Sequence, residues 1–518
     1  MQSARKIDPV VDNLFAQQLP PTPKDLRSPR TCGDPTTETL LFLSENKRRV
    51  LEKVRDLMQD SIQMKKNELP DLTLTVLRGE YQKLDSESRQ KALLILATQF
   101  GVDRKRVNDL ISHYNSLNAD PDDKSDASES ARYRTERDLR SALIPLSARL
   151  FEQMNGQPGG LKFLVDLRAD LMGNIQQNNL ASLRALDAEL KSMFATWLGP
   201  ACLELQQITW ENPASVLERI VVFEAVHPVT NLYDLKRRLG VGRRCYGYFH
   251  PAIPGEPLVF IEVALTNAIE DSIQNVLFDE PPIAEEAATT AVFYSISATQ
   301  TGLAGIDLGH FLIKKVVTLL QQEKPNIQTF VTLSPIPGFL GWLLPKLELQ
   351  IKYAQVQSEY GRETGEAPSP TFKDTLLLPE EVDTLVKACG TEEESRSGLQ
   401  IVRDLLTSPG HEWAKSPKLA DALHVPIMRL CARYLVIEKK RGRALDPVMN
   451  FHVRNGASVE RLNWMGDTSS KGLESSAGIM VNYMYRLDSI DANNQFYLNK
   501  GIIAISPAIE AVLGQARL

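Results

Sequence analysis

The sequence predicts an α+β protein: a helical N-terminal bundle domain, then a mixed α/β domain with a helical insertion. Three observations predict it. Apolar residues recur at three- and four-residue spacing from Glu38 to about Leu117 and again up to Gly199. From Thr209 the character changes, and Leu258–Leu265, LVFIEVAL, is a near-continuous apolar run of strand length, consistent with a buried strand. Ala291–Leu347 then reads as strand, glycine loop, helix, strand and a Ser-Pro-x-Pro-Gly turn.

In chain order, residues 1–38 are Pro/Thr-rich and read as a disordered tail. Residues 39–200 read as the helical domain, with two helices joined at Gly101 and a Ser/Asp-rich linker at 118–130. Residues 201–518 form the second domain. It opens with a helix, ASVLERIVVFEAV, and a strand at Arg243–Phe249. The Lys-Arg-Arg and Gly-Arg-Arg runs at that strand's start could meet a phosphate but read first as solvated surface, and His227 and His250, each before proline, as turn histidines. A polar loop at about 355–373 leads into a helical insertion at about 373–440. Asn455-Gly456, between two alternating runs in 451–465, predicts a hairpin. In its first arm Phe451 and Val453 share one face, and His452 turns to a cleft or to solvent. Ile479–Leu487 alternates with period two as a last strand, and Ser506–Leu513 is a short closing helix.

Hydrophobic residues at 43% and charged residues at 24% are ordinary for a globular chain, and 518 residues suffice for two domains. The net charge of -6 gives no electrostatic reason to expect a nucleic-acid partner. Five scattered cysteines, with no CxxC or Cys/His pair at ligand spacing, argue against structural zinc and for a reducing compartment. No apolar run approaches the roughly 18 residues of a membrane span. The last residues, Ala516-Arg517-Leu518, are a relaxed form of the Ser-Lys-Leu peroxisomal address, which makes the peroxisome and its import receptor the expected destination and partner, with cytosol as the alternative and the mitochondrion ranked below both, since Asp8, Asp12 and Asp25 argue against a mitochondrial presequence.

The central stretch carries the candidate chemistry. Val292–Ser297 is a strand, Gly302, Gly305 and Gly309 punctuate a loop, and Leu308, Phe311, Leu312, Val316, Leu319 and Leu320 mark a helix ended by Pro325-Asn326. Ile327–Leu333 is the next strand, and a crossover helix favours a parallel pair. Glycines before a helix let backbone N–H groups approach a phosphate. The spacing is neither a Walker loop nor a dinucleotide fingerprint, so close packing explains these glycines slightly better. Ser334 precedes Pro335 at the carboxyl end of a strand, where open α/β sheets bind ligands; capping the following helix is the plain alternative.

FYSISATQTGLAGIDLG, TLSPIPGF and FHVRNGA…RLNWM, with the upstream EAVHPV and IPGEPL and the later NYMY, closely resemble the malonyl-CoA decarboxylases, the plant-type members most. The resemblance implies a catalytic domain of the GNAT acyltransferase fold, an oligomerising helical domain and a homo-oligomer, tetrameric in the family. It implies decarboxylation of malonyl-CoA to acetyl-CoA and carbon dioxide in fatty-acid and malonate metabolism, with no cofactor or metal beyond the coenzyme A of the substrate. A coenzyme A-dependent N-acyltransferase is the alternative. The loop that cradles coenzyme A falls on Ala304, Gly305, Ile306, Asp307, Leu308, Gly309 and His310. The catalytic serine falls on Ser334 and the catalytic histidine on His452. Relatives vary at Asp307, which argues against an obligatory acid–base role there. Tyr485 is an active-site neighbour or a sheet-packing residue.

Overall fold

The structure, a computed structural model, describes residues 45–63, 71–118, 125–278, 284–364, 375–390 and 397–514. The expected tail at 1–38 and the tripeptide 516–518 lie outside them, as do parts of the expected linker and polar loop.

Glu45 to Trp197 is helical throughout its described parts. The break at Gly101 separates the Ser86–Gln99 and Arg104–Leu117 helices, each opened by an aspartate, Asp85 or Asp103, that accepts from a backbone N–H. Ser125 caps the next helix, Asp126–Ala142, so the linker is shorter than its composition predicts.

The sheet begins with β1 (Glu204–Ile208), followed by β2 (Arg243–Phe249) and β3 (Val259–Thr266), which is buried along its whole length. Next come β4 (Thr290–Ala298), β5 (Thr329–Thr332) and the two-residue β6 (Ser334–Pro335). A small separate pair, β7 (Lys439–Lys440) and β8 (Arg443–Ala444), precedes β9 (Ser458–Asn463) and β10 (Met480–Met484). The order runs β1-β2-β3-β4-β5, then β10, which takes β5 and β6 on one edge and β9 on the other. Among the described strands β4 and β5 are the parallel pair, joined by the Leu308–Glu323 helix as the crossover reading requires. One apolar cluster runs from Leu51 through the sheet to Leu513, joining the N-terminal helices to the sheet region.

Four expectations need correction. The expected hairpin is a helix, Pro447–Arg454, followed by β9. The helix after the Pro-Gly turn continues from Phe339 to Thr364, through Pro345 and ten residues into the expected polar loop. The last strand spans Met480–Met484, shorter than the expected Ile479–Leu487, and is buried along its length. The arginines near 237–244 are not solvated surface. Arg238 is buried against Asp234 and Glu262, Arg243 donates to the Val276 carbonyl, and Arg244 pairs with Glu285 at 2.8 Å. Each basic group has carbonyls or carboxylates brought to it by a segment distant in sequence, which no local charge pattern reveals.

Candidate active site

The β4–β5 ladder runs from Thr290 opposite Thr329 to Phe293 opposite Thr332, and the Leu333 N–H donates to the Phe293 carbonyl. Past that bond lies a cleft of about 270 Å³, with Phe293–Ile296 on one side and Ser334–Pro335 on the other. A bulge shapes the first wall. In the β3–β4 ladder Glu262 faces Ser295 and Val263 faces Phe293, leaving Tyr294 as the extra residue. Bulges re-aim side chains, and Tyr294 and Ser295 both line the cleft. Pro447, Val448, Phe451 and His452 form a further part of the lining, with Val226 beside them.

Ser334 is held by its backbone: it pairs with Val481 of β10 and is followed by Pro335. It stands five residues before the Phe339–Thr364 helix, too early to be its N-cap, and its hydroxyl donates to Thr332 Oγ1 at 2.9 Å. His452 arrives on the Pro447–Arg454 helix. Asp446 caps that helix by accepting from the N–H groups of Val448 and Met449, and Pro447 takes the first position. Asp446-Pro447 is the sequence signal that could have identified this helix. Asn455-Gly456 ends it: Gly456 has φ +85, and a side chain there would meet the Ile490 carbonyl.

Ser334 and His452, far apart in sequence, are both buried and come together in the cleft wall. The Ser334 Oγ lies 3.3 Å from His452 Nε2, and His452 Nδ1 lies 2.7 Å from the Tyr485 hydroxyl. Burial pushes the Tyr485 phenol up, so it keeps its proton and is able to donate to Nδ1. With the Ser334 hydrogen on Thr332, the contact between Ser334 and Nε2 calls for the imidazole hydrogen on Nε2, and Tyr485 then donates to Nδ1. Ser334 passes its own hydrogen to Thr332, whose oxygen also accepts from the Tyr483 N–H at 3.1 Å. The imidazole stacks on the Tyr483 ring, with centroids 4.5 Å apart. The family resemblance, not the alternation of the last strand, named Tyr485 as an active-site neighbour or sheet-packing residue; Thr332 and Tyr483 carried no sequence signal of a place in the site, since each acts through a partner on another element.

Desolvation pushes the His452 imidazole down to about 3. The unfolded chain therefore binds a proton below its ordinary value near 6.5 while the native site stays neutral. The stabilisation is complete above that pH and is lost as pH falls toward 3, by about 1.4 kcal/mol per pH unit. A His452→Gln variant should show a flatter decline of melting temperature between pH 6 and 4 than the parent chain. An identical slope would contradict the neutral assignment.

The loop expected to cradle coenzyme A leads into the Leu308–Glu323 helix, whose first N–H groups have no partners within the helix. Gly305 has φ +76, and Lys191 reaches it from the helical region, its Nζ 3.0 Å from where a Cβ would lie. Arg168, also from that region, is buried, pairs with Asp187 and donates to the carbonyls of Gly302 (2.6 Å) and Ala304 (3.0 Å). Gly302 packs on the backbone of Val165, and Gly309 on Phe451. Two of the three glycines thus serve close packing, and Gly305 serves the turn. Asp307 makes no side-chain cap and sits half-exposed, 3.6 Å from Arg454. Among the described residues no group of three or more His, Cys, Asp or Glu could hold a metal ion, and no helix is long and apolar enough to cross a membrane.

Comparison with known proteins gives concordant matches. Residues 201–517 match the model of the malonyl-CoA decarboxylase C-terminal domain, and residues 100–198 that of the N-terminal domain. The mitochondrial malonyl-CoA decarboxylase of Rattus norvegicus is 40% identical over 518 residues, covering 97% of this chain and 96% of its own. The mitochondrial enzyme of Anser anser anser is 41% identical over 441 residues, covering 84% and 82%. The crystal structure of malonyl-CoA decarboxylase from Rhodopseudomonas palustris superposes with a TM-score of 0.72 at 34% identity, covering 89% of this chain and 99% of its own.

Proposed function

The chain belongs to the malonyl-CoA decarboxylase family, and from that premise we propose that Ser334 and His452 carry its reaction in the cleft between β4 and β6. The enzyme is a carboxy-lyase that converts malonyl-CoA to acetyl-CoA and carbon dioxide. The observation that supports the site is the hydrogen-bonded chain Tyr485–His452–Ser334–Thr332, which ends in a largely apolar cleft.

Losing carbon dioxide leaves the electron pair of the broken bond on the α-carbon and the thioester oxygen. A placed acid must then protonate that carbon. The Ser334 oxygen and His452 Nε2 orient the malonyl carboxylate in a site that solvates it poorly. The carboxylate's negative charge beside Nε2 opposes the desolvation that keeps the imidazole neutral, and so favours the protonated form. His452 delivers that proton to the α-carbon as carbon dioxide departs. Tyr485 fixes the ring and its tautomer. Coenzyme A enters as part of the substrate, its phosphates set against the Ala304–His310 turn with Lys191 nearby.

The test is malonyl-CoA labelled at its free carboxyl. Equal release of labelled carbon dioxide and acetyl-CoA is expected without any added acceptor. Release of free coenzyme A only in the presence of an amine would favour acyl transfer instead.

We also read the chain as a homo-oligomer, a tetramer by family resemblance; a monomer mass in light scattering at micromolar concentration would overturn this. The peroxisomal reading of Ala516-Arg517-Leu518 is corrected. The relatives from Rattus norvegicus, Anser anser anser and Mus musculus are all named mitochondrial, which points to the mitochondrion. A three-residue ending matches a relaxed address by chance too often to outweigh them.

A further inference from the structure

One buried carboxylate behind the cleft has no part in the scheme above. Glu224 follows the Ala214–Phe223 helix and is 6% exposed. It accepts from the Ser295 hydroxyl at 2.7 Å to both oxygens, from Ser297 at 3.2 Å, and from the backbone N–H groups of Val226 (2.9 Å) and His227 (2.8 Å). The nearby buried Arg238 is engaged by Asp234 and Glu262.

Ser295 also lines the cleft. A hydroxyl has one hydrogen and two acceptor positions. The Ser295 hydrogen is committed to Glu224, so toward the cleft its oxygen offers only lone pairs, with a carboxylate behind them. The cleft is therefore polarised: His452 Nε2 can donate to a bound anion, and Ser334 can turn its hydrogen to that anion from the neutral Thr332 hydroxyl, whereas the Ser295 hydrogen is held by a carboxylate and leaves that wall only accepting. The geometry points to Glu224 as a positioning residue that, through Ser295, keeps the malonyl carboxylate off the β4 wall and turns it toward Ser334 and His452. Repulsion built against the wrong binding mode is a standard source of specificity. The inference rests on the Ser334–His452 reading.

Glu224→Gln keeps the shape and the acceptor for both backbone N–H groups. Its amide also donates to Ser295, which frees the serine hydrogen to turn into the cleft. The carboxylate can then bind in an unproductive orientation. Such binding lowers kcat and KM together and leaves kcat/KM nearly unchanged. A charge-assisted hydrogen bond gained in the wrong mode predicts a fall of about tenfold in both, while inhibition by acetyl-CoA, which lacks the carboxylate, stays constant. Unchanged kcat and KM, or a loss of kcat/KM with KM constant, would overturn the inference.

If that variant does not fold, calorimetry on the Ser334→Ala/His452→Ala double variant decides. With the donating wall removed, malonyl-CoA should bind several-fold more weakly than acetyl-CoA; equal or tighter binding would overturn the inference. The two readings fail separately: full activity of the double variant removes the site itself, whereas an inactive double variant with an unremarkable Glu224→Gln removes only the role of Glu224.

Discussion

His452→Ala is expected to lower turnover of malonyl-CoA by about a thousandfold, within the range of roughly 10²–10⁴ for a positioned acid or base. The variant removes the proton donor and one of the two groups that orient the carboxylate. It should still fold, because the histidine sits in a helix capped by Asp446 and ended by Gly456, not by its own side chain. Ser334→Ala should cost somewhat less, since it removes one hydrogen-bonding oxygen but leaves the acid. Tyr485→Phe should cost about tenfold, because the imidazole loses its partner at Nδ1 but keeps its stack on Tyr483. Release of labelled carbon dioxide measures all three, with circular dichroism as the control for folding. A folded, fully active His452→Ala protein would remove His452 from the mechanism.

The second large effect is expected far from the reacting atoms. Gly302→Ala places a methyl group against the Val165 backbone carbonyl. Neither side can give easily. Val165 lies in the Gly160–Asn178 helix, and the loop is tied to that helix by Arg168 through two carbonyls. Overpacking a side chain costs about 1–3 kcal/mol, and a collision with backbone lies at or above the top of that range. The variant should lose several degrees of melting temperature. Its KM for malonyl-CoA should rise, because the displaced segment leads into the Ala304–His310 turn. An unchanged melting temperature and KM would mean that helix and loop part without consequence.

The central unit was legible because its information is local. β-Branched residues, three glycines, a 3.6-period stripe and Pro-Gly sit within about sixty residues, and the parallel pair follows from the crossover helix. Ser334 was legible for the same reason, at the end of a strand before a proline. His452 was correctly singled out and wrongly placed. Asn-Gly signals a hairpin only when both flanks extend, and the cap at Asp446-Pro447 commits the first flank to a helix. The long helix through Pro345 shows the same limit, since packing against distant partners outweighs one missing N–H. Ser295, Glu224 and Arg168 were not legible as a site. Each matters through a partner more than seventy positions away.

By itself the sequence determined the class of fold, the family, the helical character of the described residues between Glu45 and Trp197 and the loop–helix unit, because periodicity, turn chemistry and long ordered motifs are properties of neighbouring residues. The tertiary structure alone decided which groups meet. It decided that the β4–β5 ladder stops at Phe293 and leaves a cleft, that a bulge shapes the wall where Tyr294 and Ser295 line it, and that His452 lies between Tyr485 and Ser334. Those outcomes depend on register, desolvation and distance between remote segments, quantities that exist only once the chain has closed on itself.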